Sequence, residues 1–240
     1  MYKVIGIDEA GKGPVIGSMF IGFSIINLEG LKDLNSYQEL LKGFGVTDSK
    51  KLSPKKRNAI YNELKNNMDM KYVQLTPAII DANYFSGGNL LDLEVRGMIK
   101  ILEDERPDLI MVDALTSRPD KFGEKLLSKL SYKPKIISEN KADLKYEVVG
   151  AASIIAKELR EQEVAQIKLN TNEYGNCGSG YPSDPNTKIF IKENWNNEKI
   201  DFIFRKSWAT YKNLANIKDK NDYKFQDGKL KKKLTLKDFK

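Results

Sequence analysis

Short apolar runs alternate along the chain with longer stretches in which apolar residues recur every three or four positions, the pattern of buried strands interleaved with amphipathic helices. Residues 2–7 form one such run and lead into the acidic pair Asp8-Glu9. The turn Ala10-Gly11-Lys12-Gly13-Pro14 follows, and a second, glycine-spotted strand is predicted over residues 15–26. Strands joined so tightly predict an antiparallel hairpin. Helices are predicted over residues 31–41 and 54–64, the second opened by Ser53 as N-cap and Pro54 at the first helical position. Residues 71–75 suit a third strand, residues 89–102 a helix, and Leu109-Ile110-Met111-Val112 a short buried strand that ends at Asp113. A helix over residues 122–130 and a fifth strand over residues 135–138 come next.

The strongest periodicity lies in residues 146–167, where Val148, Val149, Ala152, Ile155, Ala156 and Leu159 line one helix face while Lys157, Glu158 and Glu161 are expected on the other. Residues 175–185 hold three glycines and two prolines, which predicts a loop, and helix resumes near Thr187. A hairpin followed by alternating helices and strands implies an α/β fold, a mixed β-sheet flanked by helices, with a small C-terminal helical extension from about residue 200. The expected organisation is a catalytic domain over residues 1–200, the helical extension over 201–223 and a basic tail over 224–240.

Composition narrows the chemistry. At 240 residues and 40% hydrophobic positions the chain can bury one sizeable core. Its one cysteine, Cys177, excludes a disulfide within the chain, suits a reducing cytoplasm and is expected to be a loop thiol. The longest uncharged stretch, residues 13–28, is 16 residues long and broken by Pro14 and three glycines, too short for a membrane span. The acidic pair within the first nine residues argues against a secretory leader, so the expected location is cytoplasmic. Of the net charge of +7, five charges come from the last twelve residues, so the body is close to neutral.

The chain contains no histidine. That excludes Ser-His-Asp and Cys-His machinery and any imidazole-ligated metal, leaving oxygen ligands and therefore hard cations such as Mg²⁺ or Mn²⁺. Asp8-Glu9 and Asp113 lie where apolar strands end, and Asp143 lies between the fifth strand and the strongest helix. Singly, each has an ordinary explanation as a solvated turn or a helix cap. Together at one sheet edge, four carboxylates repel one another unless cations offset the charge. Two divalent ions would do so, and such a pair suits in-line attack of water on a phosphodiester.

The segment Gly6-Ile7-Asp8-Glu9-Ala10-Gly11-Lys12-Gly13-Pro14-Val15-Ile16-Gly17 resembles the signature of ribonuclease HII, the type 2 ribonuclease H family, in its archaeal and eukaryotic form. Further blocks follow in order: Asp48-Ser49-Lys50-Lys51-Leu52-Ser53, Val112-Asp113-Ala114, Lys141-Ala142-Asp143, Ala151 to Lys157, Gly178 to Pro185, and Arg205-Lys206-Ser207-Trp208. The resemblance implies an RNase H-like fold and a metal-dependent endonuclease that cleaves the RNA strand of RNA–DNA hybrids. It also implies cutting 5′ of ribonucleotides embedded in duplex DNA, leaving 3′-hydroxyl and 5′-phosphate ends, in ribonucleotide excision and primer removal. By position, Asp8, Glu9, Asp113 and Asp143 match the family's metal-binding catalytic carboxylates, Gly11-Lys12-Gly13 its glycine-arginine-glycine loop, and Tyr181 its junction-sensing tyrosine.

Physical reasons accompany these matches. RNA is told from DNA through the 2′-hydroxyl, which a glycine turn can approach with backbone groups and a tyrosine ring can test sterically. Lys12 departs from the family's arginine and cannot make a bidentate phosphate contact. Lys50, Lys141 and Lys145 are candidates for phosphate contacts. Arg205 and Trp208 are expected to anchor the C-terminal helix. Residues Lys233 to Lys240 loosely resemble a sliding-clamp-binding peptide, against the plainer reading of a basic tail that attracts DNA. The expected protein is a monomer without membrane contact, its partner an RNA–DNA hybrid or ribonucleotide-containing duplex. Two other readings stay open on these residues: a nuclease for DNA or structured junctions on the same scaffold, and a hybrid-binding protein without catalysis.

Overall fold

The computed structural model describes residues 1–218, so the tail and its clamp-peptide resemblance lie outside the described residues. The strands are β1 (Tyr2–Ala10), β2 (Met19–Leu28), β3 (Asp69–Leu75), β4 (Leu109–Asp113) and β5 (Lys135–Glu139). The helices are α1 (Leu34–Gly43), α2 (Pro54–Asn67), α3 (Pro77–Phe85), α4 (Leu90–Glu105), α5 (Pro119–Leu127), α6 (Glu147–Asn170), α7 (Pro185–Asn194) and α8 (Ala209–Leu214). The strands form one sheet in the order β3-β2-β1-β4-β5. β1 runs antiparallel to β2 and parallel to β4, and β4 is parallel to β5, which is the expected mixed sheet with its hairpin.

Two compact units make up the chain. The first comprises Met1–Ala10, Phe20–Val73 and Val95–Leu159; the second comprises Gly11–Met19, Gln74–Glu94 and, of the described residues, 160–218. In the first unit the apolar cluster joins Val4, Ile26, Met111, Val148 and Ile154, so that α6 lies directly on the sheet. Two glycines permit this approach. A Cβ on Gly6 would stand 2.3 Å from the Val148 carbonyl oxygen, and one on Gly22 would stand 2.4 Å from that of Ala152. In the second unit Val15, Ile16, Cys177, Phe190, Phe204 and Tyr211 build a separate cluster. Cys177 is therefore a core residue, although it sits in the expected loop.

Several expectations change. The second strand begins at Met19 rather than Val15, because Gly17 takes φ 80° and the amide of Val15 donates to the Gly180 carbonyl at 2.8 Å instead of joining the ladder. Helix α3 was not expected, yet Thr76 caps it and Pro77 opens it, the same signals that mark α2 at Ser53 and Pro54. On α6, Glu158 is buried rather than solvent-facing, accepting from Asn58 at 2.7 Å beside Arg57. No helix among the described residues is long and apolar enough to cross a membrane.

Candidate active site

Four acidic residues expected to act together all belong to the first unit. In the β1–β4 register Ile7 lies opposite Val112, so Asp8 and Asp113 follow side by side where the pairing of the two parallel strands stops; β1 itself runs on through Asp8 and Glu9 to Ala10, paired with β2, rather than ending at residue 7 as expected. The Asp113 carboxylate accepts from the amide of Ala142 at 3.0 Å, and also from that of Lys141. These amides open the 3₁₀ turn Ala142–Leu144, which carries Asp143, and Lys141 enters it in the left-handed region at φ 59°. Asp113 thus caps the turn that places Asp143.

Asp8 and Asp143 are buried, while Glu9 and Asp113 are half-buried. Asp8 accepts from the Glu9 amide at 2.7 Å and from the Ser153 hydroxyl on α6. Burial pushes the Asp8 carboxyl well above the ordinary carboxylate range, and the charges of Glu9 and Asp113 push it further. Burial raises Asp113 too, with Asp143 adding to the effect and the amides of Ala142 and Lys141 and the Lys50 ammonium opposing it. In Asp8 and Asp113, burial and the neighbouring acids together outweigh the donors that face them.

A buried polar cluster behind Asp8 was not anticipated. Ser49 and Ser153 share a 2.9 Å hydrogen bond, and the Lys157 ammonium donates to Ser153 at 3.1 Å and to Ser49. Lys157 was expected on the outer face of α6 but is half-buried against this pair; burial lowers its pKa while Asp8 and Asp143 draw it up. The four-residue spacing of Ser153 and Lys157 on an otherwise apolar helix face is the signal that would have revealed them. Lys50 lies next to Ser49 in the loop so held. Lys145 is taken up by Glu139.

Among the described residues, no three acidic or thiol side chains stand close enough to grip a metal ion as they lie. Asp8 and Asp113 instead turn oxygens onto backbone amides. The donor set nevertheless fits hard divalent cations: every candidate donor is a carboxylate oxygen, and the repulsion of Asp8 by Glu9 and Asp113 is one that divalent ions would offset. A cleft of about 400 Å³ opens beside Asp143, with Lys42, Asp48 and Lys51 on its walls.

The second unit holds the glycine turn and Tyr181. Gly11 has φ 88°, a conformation open to glycine. Arg205 is fully buried and donates to the carbonyls of Gly17 at 2.8 Å and Lys12 at 3.2 Å, while the Trp208 indole donates to that of Gly13 at 3.3 Å. These two residues, expected only to anchor the C-terminal helix, clamp the turn as well; Trp208 does precede α8. Burial lowers the Arg205 pKa to about 10, and Arg160 adds to this. Lys12 closes on Glu94 through its side chain. Tyr181 is 37% exposed, and a Cβ on Gly13 would stand 3.2 Å from its ring.

The ribonuclease HII family model matches residues 5–211. Ribonuclease HII of Pyrococcus abyssi is 37% identical over 217 residues, spanning 88% of this chain and 91% of that protein. Among solved structures, the ribonuclease H2 from Pyrococcus horikoshii OT3 superposes with a TM-score of 0.76 at 36% identity, covering 89% of this chain and 97% of that one. A chain of the PCNA:RNase HII complex from Archaeoglobus fulgidus superposes with a TM-score of 0.73 at 30% identity, covering 85% and 94%. A histidine-free α/β chain with carboxylates on adjoining strands, matched over this length, belongs to the ribonuclease HII family of metal-dependent endoribonucleases, whose substrate is the RNA–DNA hybrid.

Proposed function

We propose that the protein incises the RNA strand of hybrids, and duplex DNA on the 5′ side of an embedded ribonucleotide, leaving 3′-hydroxyl and 5′-phosphate ends. Asp8, Glu9, Asp113 and Asp143 hold two Mg²⁺ or Mn²⁺ ions. Bound there, such ions lower the pKa of the attacking water and stabilise charge on the leaving oxygen. The chain's own contribution is to fix the carboxylates: Ser153 and the Glu9 amide orient Asp8, and Asp113 orients the turn bearing Asp143. No side chain serves as nucleophile; Cys177 is buried in the second unit's core, and there is no histidine to activate a hydroxyl.

Recognition is assigned to Gly11, Lys12, Gly13, Lys50 and Tyr181. Backbone groups of the glycine turn meet the 2′-hydroxyl, Lys50 meets a phosphate, and the exposed face of Tyr181 tests the neighbouring sugar. The Lys12 side chain is engaged by Glu94, so its part in binding is carried by its backbone. The enzyme acts in the cytoplasm as a monomer, in ribonucleotide excision and primer removal.

The observation that carries this reading is the position of Asp113, level with Asp8 where the β1–β4 pairing stops and bonded to the turn that bears Asp143. The test is incubation of duplexes with one, four or no ribonucleotides, with and without chelator, mapping the cut bond. Metal-dependent cleavage 5′ of the single ribonucleotide is expected; cleavage of the all-DNA duplex, or cleavage that survives chelation, overturns the proposal.

The tail is assigned to a sliding clamp, supported by its clamp-peptide resemblance and by the related chain found in a PCNA complex. Clamp pull-down by the full chain but not by a chain ending at Asp227 is expected, and equal recovery of both removes the assignment.

A further inference from the structure

We infer that Arg160 is a positioning residue that sets the plane of the Tyr181 ring and thereby controls how strongly the enzyme favours a ribonucleotide junction over a uniform hybrid. The inference rests on the proposed role of Tyr181 as the sugar-testing residue.

Arg160 Nη2 donates to the carbonyl of Ser179 at 2.7 Å, two residues before Tyr181. Its guanidinium carbon lies 4.9 Å from the Tyr181 ring centroid, within range of cation–π attraction. The same side chain fills the space over the glycine turn: a Cβ on Gly11 would stand 3.0 Å from Arg160 Cδ and 3.4 Å from its Nε. Tyr181 in turn presses against Gly13. One planar cation therefore touches the turn, the loop that carries the tyrosine, and the tyrosine ring itself. Tyr181 stays 37% exposed as a residue while its ring contacts Arg160 and Gly13.

This arrangement separates contact from control. Tyr181 offers the surface that meets a sugar, and Arg160 decides how that surface is angled relative to the backbone of Gly11 and Gly13. A lysine keeps the charge but has neither the plane for the ring nor the fork that spans Ser179 and the stack.

The experiment measures kcat/KM for two substrates, a duplex with a single ribonucleotide and a uniform RNA–DNA hybrid, on wild type, Arg160→Gln, Arg160→Lys, Tyr181→Ala and the Arg160→Gln/Tyr181→Ala double variant. Both substrates are assayed on the same preparation, so loss of folded protein cancels in their ratio. Arg160→Gln is expected to lower the single-ribonucleotide-to-hybrid ratio about tenfold. Arg160→Lys should lower it nearly as much, and the double variant no further than Tyr181→Ala alone. An unchanged ratio in Arg160→Gln beside a lowered one in Tyr181→Ala overturns the inference, as does full additivity in the double variant. An unchanged ratio in Tyr181→Ala removes the role assigned to the tyrosine, and the inference falls with it.

Discussion

The ammonium of Lys12 sits 3.1 Å from a carboxylate oxygen of Glu94, whose side chain is completely buried, so the basic residue inside the glycine turn is tied inward. Lys12 is itself about half exposed, which screens the pair and limits its strength. Replacing Lys12 with methionine should cost about 1 kcal/mol of stability in urea unfolding. Hybrid affinity plotted against salt, both as logarithms, should change slope by much less than the ~0.9 that each neutralised phosphate contributes. A slope shallower by that full amount, with stability intact, would show the ammonium on a phosphate instead.

Close packing of α6 on the sheet makes a second prediction. Gly6→Ala drives a methyl group to 2.3 Å from the Val148 carbonyl oxygen, where only backbone movement gives relief. Thermal unfolding should register a loss of about 3 kcal/mol or more, with Gly22→Ala similar. Gly43→Ala, which meets nothing within 4 Å, should be neutral or slightly stabilising and serves as the control.

Much of this arrangement is written locally. The apolar run before Asp113 and the spacing of Val148, Val149, Ala152 and Ile155 identify β4 and α6, because burial against a sheet leaves a periodic trace. Asp113 at the end of β4 follows from the same reading, whereas β1 runs three residues past its apolar run and takes in Asp8 and Glu9, because β2 continues to pair with them. What escapes is whatever depends on distant partners. Ser49 and Lys157 are 108 residues apart in the chain, and while the spacing of Ser153 and Lys157 marks their shared helix face, nothing local brings Ser49 to it. Glu158 looks like a surface acid until Asn58 and Arg57 of α2 are seen against it. Residues 15–18 are apolar enough for a strand, but tertiary bonds to Gly180, Ile203 and the Glu163 carboxylate claim their amides. Helix α3 is legible in Thr76-Pro77; its short, largely apolar sequence hides the usual amphipathic stripe.

Asp81 gives a pH-dependent prediction. Its carboxylate accepts from the Ser207 hydroxyl at 2.6 Å and from the amides of Lys206 and Ser207, each at 2.8 Å. Burial still dominates and raises its pKa from the ordinary 3.8. The native state therefore keeps this proton to higher pH than the unfolded chain, and the contribution of Asp81 to stability falls as pH rises from 3.8 through the raised value. Asp81→Asn lacks this titration and also turns a donor toward a donor, costing about 1–3 kcal/mol. In urea unfolding from acid to neutral pH, the gap between wild type and variant should widen toward acid. A gap that widens toward neutral pH contradicts the assignment.

The strain on Asp8 should appear as a conflict between stability and function. With chelator present at neutral pH, Asp8→Asn removes a carboxyl that burial and the charges of Glu9 and Asp113 disfavour, so the variant should be more stable than wild type in urea unfolding while hybrid cleavage is abolished. Divalent cations should then stabilise wild type more than the variant. A variant less stable than wild type under chelation would argue that Asp8 is a structural anchor.

Cation binding itself offers the most direct test. Mn²⁺ titrated into the protein mixed with an uncleavable hybrid, and followed by the paramagnetic signal of the free ion, should reveal two bound ions per chain in wild type. Asp8→Asn and Asp113→Asn should each lose at least one of them. Equal Mn²⁺ stoichiometry and affinity in wild type and both variants would contradict the account.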